Sequence, residues 1–269
     1  MLKFLKNWTL PLAMFAGAIG YFLLANVTIL EPAKPFVNWL IAVLTPFLIF
    51  AQLLLTFCKI EPKELLPKAW HVWLLSIQAV SSGIIALLLI FCPMEEAYRD
   101  IFEGAMVCLI CPTATAAAVI TGKLGGSAST LTTYTLLSNV LAAIAVPLVF
   151  PLVEPHADIT FVVAFLKILS KVFPLLLAPF FIALLFRYYI PSVHRLLSKY
   201  HGVAFYLWAV ALTIVTGQTV RSLVTAAADV SIEIMIALAG LATCCLQFYF
   251  GKRIGSAYHD RISAGQALG

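Results

Sequence analysis

Eight apolar segments, each long enough to cross a bilayer, constrain this chain more than any other feature of its sequence. A spanning helix needs about 20 mostly apolar residues. We predict spans at residues 8–30, 36–57, 70–91, 100–121, 127–150, 159–188, 202–220 and 231–250, with a ninth beginning near residue 261. Charged residues make up only 11% of the chain, which excludes a water-soluble or disordered protein. We therefore predict an all-α polytopic protein integral to the membrane.

The Lys and Arg residues orient these spans. If the sides alternate along the chain, 12 Lys and Arg residues fall on the side of the N-terminus and 3 on the other. Cytoplasmic loops carry such an excess, so we predict a cytoplasmic N-terminus in an inner or plasma membrane. The formal charge of +5 is not gathered on one basic face, so no nucleic-acid partner is expected. The pattern indicates the lipid bilayer as a partner. The sequence carries no signal for an oligomeric state.

A polar connection at residues 151–158 divides the chain into two halves. Residues 1–152 hold five spans, and the first of them begins on the cytoplasmic side. The first span within residues 153–269 begins on the outer side. Because five is an odd number, we predict a second five-helix repeat inverted relative to the first, an architecture of many secondary transporters. The second half is shorter and ends within the ninth span, so we expect the chain to be truncated there.

The fourth segment carries Pro112 near its middle, followed at once by Thr113 and Thr115. Proline removes one helical hydrogen bond and clashes with the preceding turn. A helix broken at the midplane exposes main-chain groups that an ion, a ligand or neighbouring protein must satisfy. We predict a break that faces solute, with both threonines among the substrate contacts. The alternative is a simple kink whose threonines bond back to the helix.

The fifth segment is unusually polar for a membrane helix. Its hydroxyl and amide side chains are Ser127, Ser129, Thr130, Thr132, Thr133, Thr135, Ser138 and Asn139. Beside a broken helix, such a run is typical of an ion or substrate lining, and we assign Ser138 and Asn139 to the substrate. Gln78, within the third segment, is a further candidate for cation binding. The alternative for all of them is hydrogen bonding between helices.

Together these features resemble the bile acid:sodium symporter family over nearly the whole chain. The pieces that carry the resemblance are residues 47–62, residues 67–69 leading to Gln78, the broken segment at 111–115, and residues 261–269. The resemblance implies ten helices in two inverted repeats, with discontinuous fourth and ninth helices that cross at the midplane. It also implies alternating access, a small or amphipathic organic anion as substrate, and sodium as coupling ion with no other cofactor.

The family's sodium ligands carry over only in part. Gln78 resembles a ligand of the second sodium, and Thr132 resembles a hydroxyl ligand of the first. Gln266 stands where the resemblance implies a glutamate that bridges both sites. Ala117 and Ala118 stand where many members have Ser-Asn. A neutral amide supplies no charge, so we expect sodium to bind more weakly here than in such members.

Two alternatives keep the fold and change the transported species. Cys108 and Cys111 lie on one helix face beside the break, as a thiophilic solute would require in an arsenite-efflux-like carrier. Glu103 and Glu233 lie about one turn inside their segments and are candidate proton sites in a proton-coupled carrier. An uncoupled carrier of the same fold is the related alternative.

Lys167 and Lys171 lie in the outer part of the sixth segment. They are expected either to extend toward the outer interface or to attract an anionic substrate. A membrane enzyme or sensor is the remaining class. The five histidines fall in or beside loops and form no ligand spacing, so no catalytic constellation is predicted and an enzyme is not expected.

Overall fold

The computed structural model describes residues 8–59, 66–114, 116–155, 159–199, 203–225 and 230–269. Eleven α-helices run through these residues. They are α1 (Thr9–Asn26), α2 (Lys34–Cys58), α3 (Ala69–Phe91), α4 (Glu96–Ile110), α5 (Ala116–Lys123), α6 (Ala128–Val153), α7 (Phe161–Tyr189), α8 (Pro191–Lys199), α9 (Val203–Thr225), α10 (Val230–Ala257) and α11 (Arg261–Leu268). Seven of them are long and apolar enough to cross a membrane. The predicted all-α polytopic class is confirmed.

Two differences from the predicted spans have local causes. The first span ends at Asn26 rather than near residue 30, and a 3-10 helix over Thr28–Ala33 containing Pro32 leads into α2. The loop after α7 holds the unpredicted helix α8, which begins with Pro191, a residue suited to a first helical turn. The Ser198 hydroxyl of α8 donates to the Cys58 carbonyl at 3.0 Å, which ties α8 to the end of α2.

One group of helices consists of α1, α2, α7 and α9, and we call it the panel group. Within it, α9 packs against both α1 and α2, and α2 also packs against α7. The α1–α9 contact depends on glycine, because a Cβ atom at Gly17 would lie 2.2 Å from the Thr213 carbonyl oxygen. Small residues allow the main chains of two membrane helices to touch in this way.

The second group, which we call the core group, consists of α3 to α6, α10 and α11. At its centre Trp70 and Tyr134 are fully buried, with ring centroids 6.0 Å apart, and Leu74 and Leu131 are buried beside them. Helix α11 lies directly on α10, where a Cβ atom at Gly251 would come within 2.5 Å of the Ala264 carbonyl oxygen. This contact fixes α11 against the rest of the core group.

An arginine ties three helix ends together on the predicted outer side. The Arg99 guanidinium pairs with Glu103 at 2.9 Å and donates to the carbonyls of Leu89 and Val153, at the ends of α3 and α6. Glu103, a candidate proton site in the sequence, is thus one partner of this connection.

On the predicted cytoplasmic side, an ion pair joins the start of α3 to the turn before α11. The Lys68 ammonium lies 2.9 Å from Asp260, whose side chain is only 12% exposed. Partial burial alone would raise the pKa of Asp260, but hydrogen bonds from Ser263 and Lys68 outweigh it and leave that pKa below the ordinary value of 3.8.

The lowered pKa of Asp260 predicts a pH-dependent contribution to stability. A carboxylate with a lowered folded-state pKa stabilises the fold above its unfolded pKa, and this is lost as the pH falls through the folded value. We expect Asp260→Asn to lower the free energy of unfolding by less than about 1 kcal/mol at pH 7, because Lys68 is half-exposed. The wild-type advantage should shrink as the pH falls below 3.8. Thermal unfolding of both proteins across this range checks it, and an advantage that grows in acid would contradict it.

Candidate functional site

The fourth predicted span is interrupted at Pro112, as expected from the sequence. Helix α4 ends at Ile110, Cys111 is extended with φ −60° and ψ 137°, and α5 begins at Ala116. The residue before a proline avoids the helical conformation, which explains why the helix ends where it does. Thr115, a predicted substrate contact, lies outside the described residues. The break therefore leaves main-chain groups around Pro112 without helical partners.

Gln78 holds the end of α4 in place. Its side-chain nitrogen donates to the Cys111 carbonyl at 2.9 Å and lies 3.4 Å from the Ile110 carbonyl. Its side-chain oxygen accepts a hydrogen bond of 3.3 Å from the Tyr134 hydroxyl. The amide is buried, so each of these bonds satisfies a group that water does not reach. The candidate cation ligand thus connects α3, the broken span and α6.

Thr113 joins the break to the start of the ninth predicted span. Its hydroxyl donates to the Ala267 carbonyl in α11 at 2.6 Å. Its main-chain N–H donates to the Ser138 hydroxyl in α6 at 3.3 Å, and Ser138 in turn donates to the Thr135 carbonyl at 3.1 Å. We call this arrangement of the Pro112 break, α6 and the end of α11 the crossing.

On its predicted cytoplasmic side the crossing is lined by small apolar residues. Ala117 and Ala118 of α5 are buried in one cluster with Ala264, Ala267 and Leu268 of α11. The resemblance implies Ser-Asn at the first two positions in many members. The alanine side chains supply no oxygen, so a cation in this half of the crossing has only main-chain carbonyls and more distant side chains to bind.

The remaining predicted site residues are placed less centrally. The Thr132 hydroxyl is buried and donates to the Ala128 carbonyl at 2.9 Å within its own helix. Asn139 is buried next to Ser138, and its side-chain nitrogen has no hydrogen-bond partner in the part of the chain that the structure describes. Gln266 is half-buried on α11. Of the predicted residues, hydrogen bonds thus connect Thr113 with Ser138, and Gln78 with the carbonyls just before Pro112.

Sequence reasoning missed two residues that shape this region. Tyr134 donates a hydrogen bond from its hydroxyl to the Gln78 side-chain oxygen. Ser263 is fully buried, and its hydroxyl accepts from the Ser127 main-chain N–H at 2.9 Å. A glycine allows this approach, since a Cβ atom at Gly126 would lie 3.1 Å from the Ser263 oxygen. The cluster of glycines before α6 was the available signal.

The residues behind the alternative predictions are dispersed. Among the described residues, no group of three or more His, Cys, Asp or Glu side chains is arranged to hold a metal ion. Cys108 and Cys111 are free and exposed on the surface of the described residues. Lys167 and Lys171 are exposed on α7, and Glu233 is half-buried in the first turn of α10.

A substitution of Cys111 tests whether its thiol, rather than its main-chain carbonyl, is needed at the break. Gln78 binds the carbonyl of Cys111, not its sulfur atom, so Cys111→Ser should keep this hydrogen bond and leave solute uptake within about twofold of wild type. Uptake into proteoliposomes, with Cys245→Ser as a control on α10, measures this. Loss of uptake in Cys111→Ser alone would favour a carrier that uses the thiol.

Comparisons with known proteins give a family match. The model of the Sodium Bile acid symporter family matches residues 1–226, most of the chain. A comparison with the curated proteins found no significant match.

Proposed function

The chain belongs to the sodium bile acid symporter family, and we propose that it carries small or amphipathic organic anions across the membrane by alternating access, with sodium as the coupling ion. The family and the seven spanning helices make it a membrane transport protein. We place the substrate and the ion at the crossing.

The observation that carries the proposal is the hydrogen bond between Thr113 and Ala267. It joins the interrupted fourth span to α11 inside the protein, and around Pro112 the main-chain groups of that span are not committed to a helix. Secondary transporters bind substrates and ions at such interruptions, because the free N–H groups suit anions and the free carbonyls suit cations. Asn139, with its uncommitted side-chain nitrogen nearby along α6, adds a hydrogen-bond donor for an anionic group.

The two helix groups suggest how the site changes its exposure. We propose that the core group, with the crossing, shifts as a unit against the panel group. Helix α6 of the core packs along α7 of the panel, so this contact is where sliding takes place. On this proposal the first repeat is residues 1–152 and the inverted second repeat is residues 153–269, with the N-terminus in the cytoplasm.

Uptake into proteoliposomes tests the proposal. Full-length protein is reconstituted, and labelled taurocholate and a short-chain carboxylate are offered under sodium and proton gradients imposed separately. We expect an inward sodium gradient to drive uptake, and empty liposomes to show none. Absence of gradient-driven uptake and of counterflow for both anions would contradict the proposal.

A sodium-independent carrier is the second candidate, and one observation favours it. The apolar packing of Ala117 and Ala118 removes side-chain oxygens from the cytoplasmic half of the crossing, and Gln266 brings no charge. A sodium site without a carboxylate is weak. The same experiment separates the two candidates, because uptake that follows the proton gradient, or neither gradient, and ignores sodium would favour this one.

A further inference from the structure

We propose that the panel group binds one anionic phospholipid from the outer leaflet in a cavity among α1, α2 and α9. The cavity has a volume of about 460 Å³. Pockets that hold ligands commonly measure about 300–1,000 Å³. It lies in the panel group and includes no residue of the crossing, so the proposal does not depend on the transported substrate.

Glycines create the cavity. Helices α1 and α9 touch at Gly17 and Gly217, where a Cβ atom at Gly217 would lie 3.1 Å from the Gly17 carbonyl oxygen. The cavity extends from this contact toward the predicted outer ends of α1 and α9, and α2 forms the third wall. A Cβ atom at Gly20, one turn further along α1, would meet nothing within 4 Å. The space beside Gly20 is therefore open to a ligand.

Two cations stand at the outer end of the cavity. Lys34 is the first residue of α2, and Arg221 lies in the last turns of α9. The Asn38 side-chain oxygen accepts a hydrogen bond of 2.9 Å from Arg221 and holds the guanidinium at this end. Lys34 and Arg221 are two of the three Lys and Arg residues that the positive-inside pattern assigns to the outer side. Their meeting at one cavity points to an anionic headgroup.

The charge at this end is not neutralised by the cavity walls. None of the described residues that line the cavity is acidic. Lys34 lies 3.4 Å from Glu31, but the two side chains are 38% and 62% exposed, and a pair so open to solvent is weak. A phosphate group could therefore accept hydrogen bonds from both cations. Charge-assisted bonds of this kind are among the stronger ones in proteins.

The remainder of the cavity suits an acyl chain. Its walls include Leu24, Ile41 and Ile214, and apolar surface predominates in the lining. Phe36 and Trp39 flank the outer end on α2 and are 62% and 60% exposed, as side chains facing lipid would be. A ligand with a charged head and an apolar chain can enter sideways from the bilayer, whereas a free anion would leave the apolar part empty. We therefore assign the site to a phospholipid.

Native mass spectrometry of the detergent-purified full-length protein tests this assignment. Dioleoyl phosphatidylglycerol is titrated against dioleoyl phosphatidylcholine. We expect one saturable phosphatidylglycerol per chain and weaker, unsaturable phosphatidylcholine binding. Removing both cations with Lys34→Gln and Arg221→Gln should weaken phosphatidylglycerol binding about tenfold or more. The control is Lys167→Gln with Lys171→Gln, which removes two exposed positive charges from α7 and should leave binding unchanged.

A second pair of variants tests the cavity itself. Gly20→Leu places a side chain in the open space and should abolish saturable binding, whereas Gly83→Leu on α3, also with nothing within 4 Å, should not. Equal binding of both lipids, equal weakening by the α7 control, or full binding by Gly20→Leu would overturn the proposal. Displacement of phosphatidylglycerol by inorganic phosphate would also overturn it, because it would show an anion site that ignores the acyl chain.

Discussion

Replacing Gln78 with leucine is expected to reduce transport to background and to destabilise the fold strongly. Leucine fills a similar volume but removes the bonds to the Cys111 carbonyl and the Tyr134 hydroxyl, at 2.9 and 3.3 Å. Each buried group left without a partner costs about 1–3 kcal/mol. We therefore expect a loss of about 2–6 kcal/mol in the free energy of unfolding. Transport should fail because the carbonyl end of α4 loses the group that positions it.

Gln52 provides a matched control for this substitution. It is also a buried glutamine in a spanning helix, but its side-chain oxygen has no hydrogen-bond partner in the described part of the chain. Gln52→Leu should therefore cost far less stability and leave uptake near wild type. Uptake into proteoliposomes and equilibrium unfolding in detergent measure both effects. Equal losses in the two variants would show that burial of the amide, rather than its bonds at the break, matters.

Tyr134→Phe separates the effect of the Gln78–Tyr134 hydrogen bond from the effect of the bonds between Gln78 and the carbonyls at the break. It removes only the hydroxyl, so the bonds from Gln78 to the carbonyls at the break persist. We expect a smaller loss of stability than in Gln78→Leu, about 1 kcal/mol, and measurable uptake. If Tyr134→Phe abolished uptake as completely as Gln78→Leu, the hydroxyl rather than the carbonyl contacts would be the essential partner.

The sequence predicted the membrane architecture because the signals for it are local. Apolar length predicts a spanning helix, and a proline in the middle predicts its interruption, so both the spans and the break at Pro112 could be placed from composition and position alone. Helix α8 was missed because it is short and follows directly after α7, with Ile190 alone between them. Its proline start was a weak signal beside the strong pattern of the spans.

The contacts at the crossing could not be predicted in the same way, because their partners are far apart in the chain. Thr113 bonds to Ala267 and Ser127 to Ser263 across more than 130 residues, through a main-chain carbonyl and a hydroxyl that carry no sequence pattern of their own. The pair Gly251 and Gly255 was a usable signal, since glycines four apart often mark close helix contacts in membranes. The charged residues between them, Lys252 and Arg253, obscured it.

Substituting Gly251 with valine should destabilise the fold strongly. A Cβ atom there would lie 2.5 Å from the Ala264 carbonyl oxygen and 3.2 Å from its carbonyl carbon. These are main-chain atoms that cannot rotate away, so α11 would have to move. Overpacking costs about 1–3 kcal/mol and occasionally more, and we expect the upper end here. Transport should be lost too, because α11 carries the Ala267 carbonyl that Thr113 binds.

Gly240→Ala is the control, because it makes a similar change in the same helix without the clash. Its Cβ atom would lie 3.6 Å from the Cys108 sulfur, an ordinary contact. Since alanine favours a helix over glycine by up to about 1 kcal/mol, this variant should be as stable as wild type or slightly more stable. Equilibrium unfolding and uptake of both variants decide the point. A Gly251→Val protein with wild-type stability would mean that α11 does not rest on α10, and the crossing would then lack the support that holds Ala267 against Thr113.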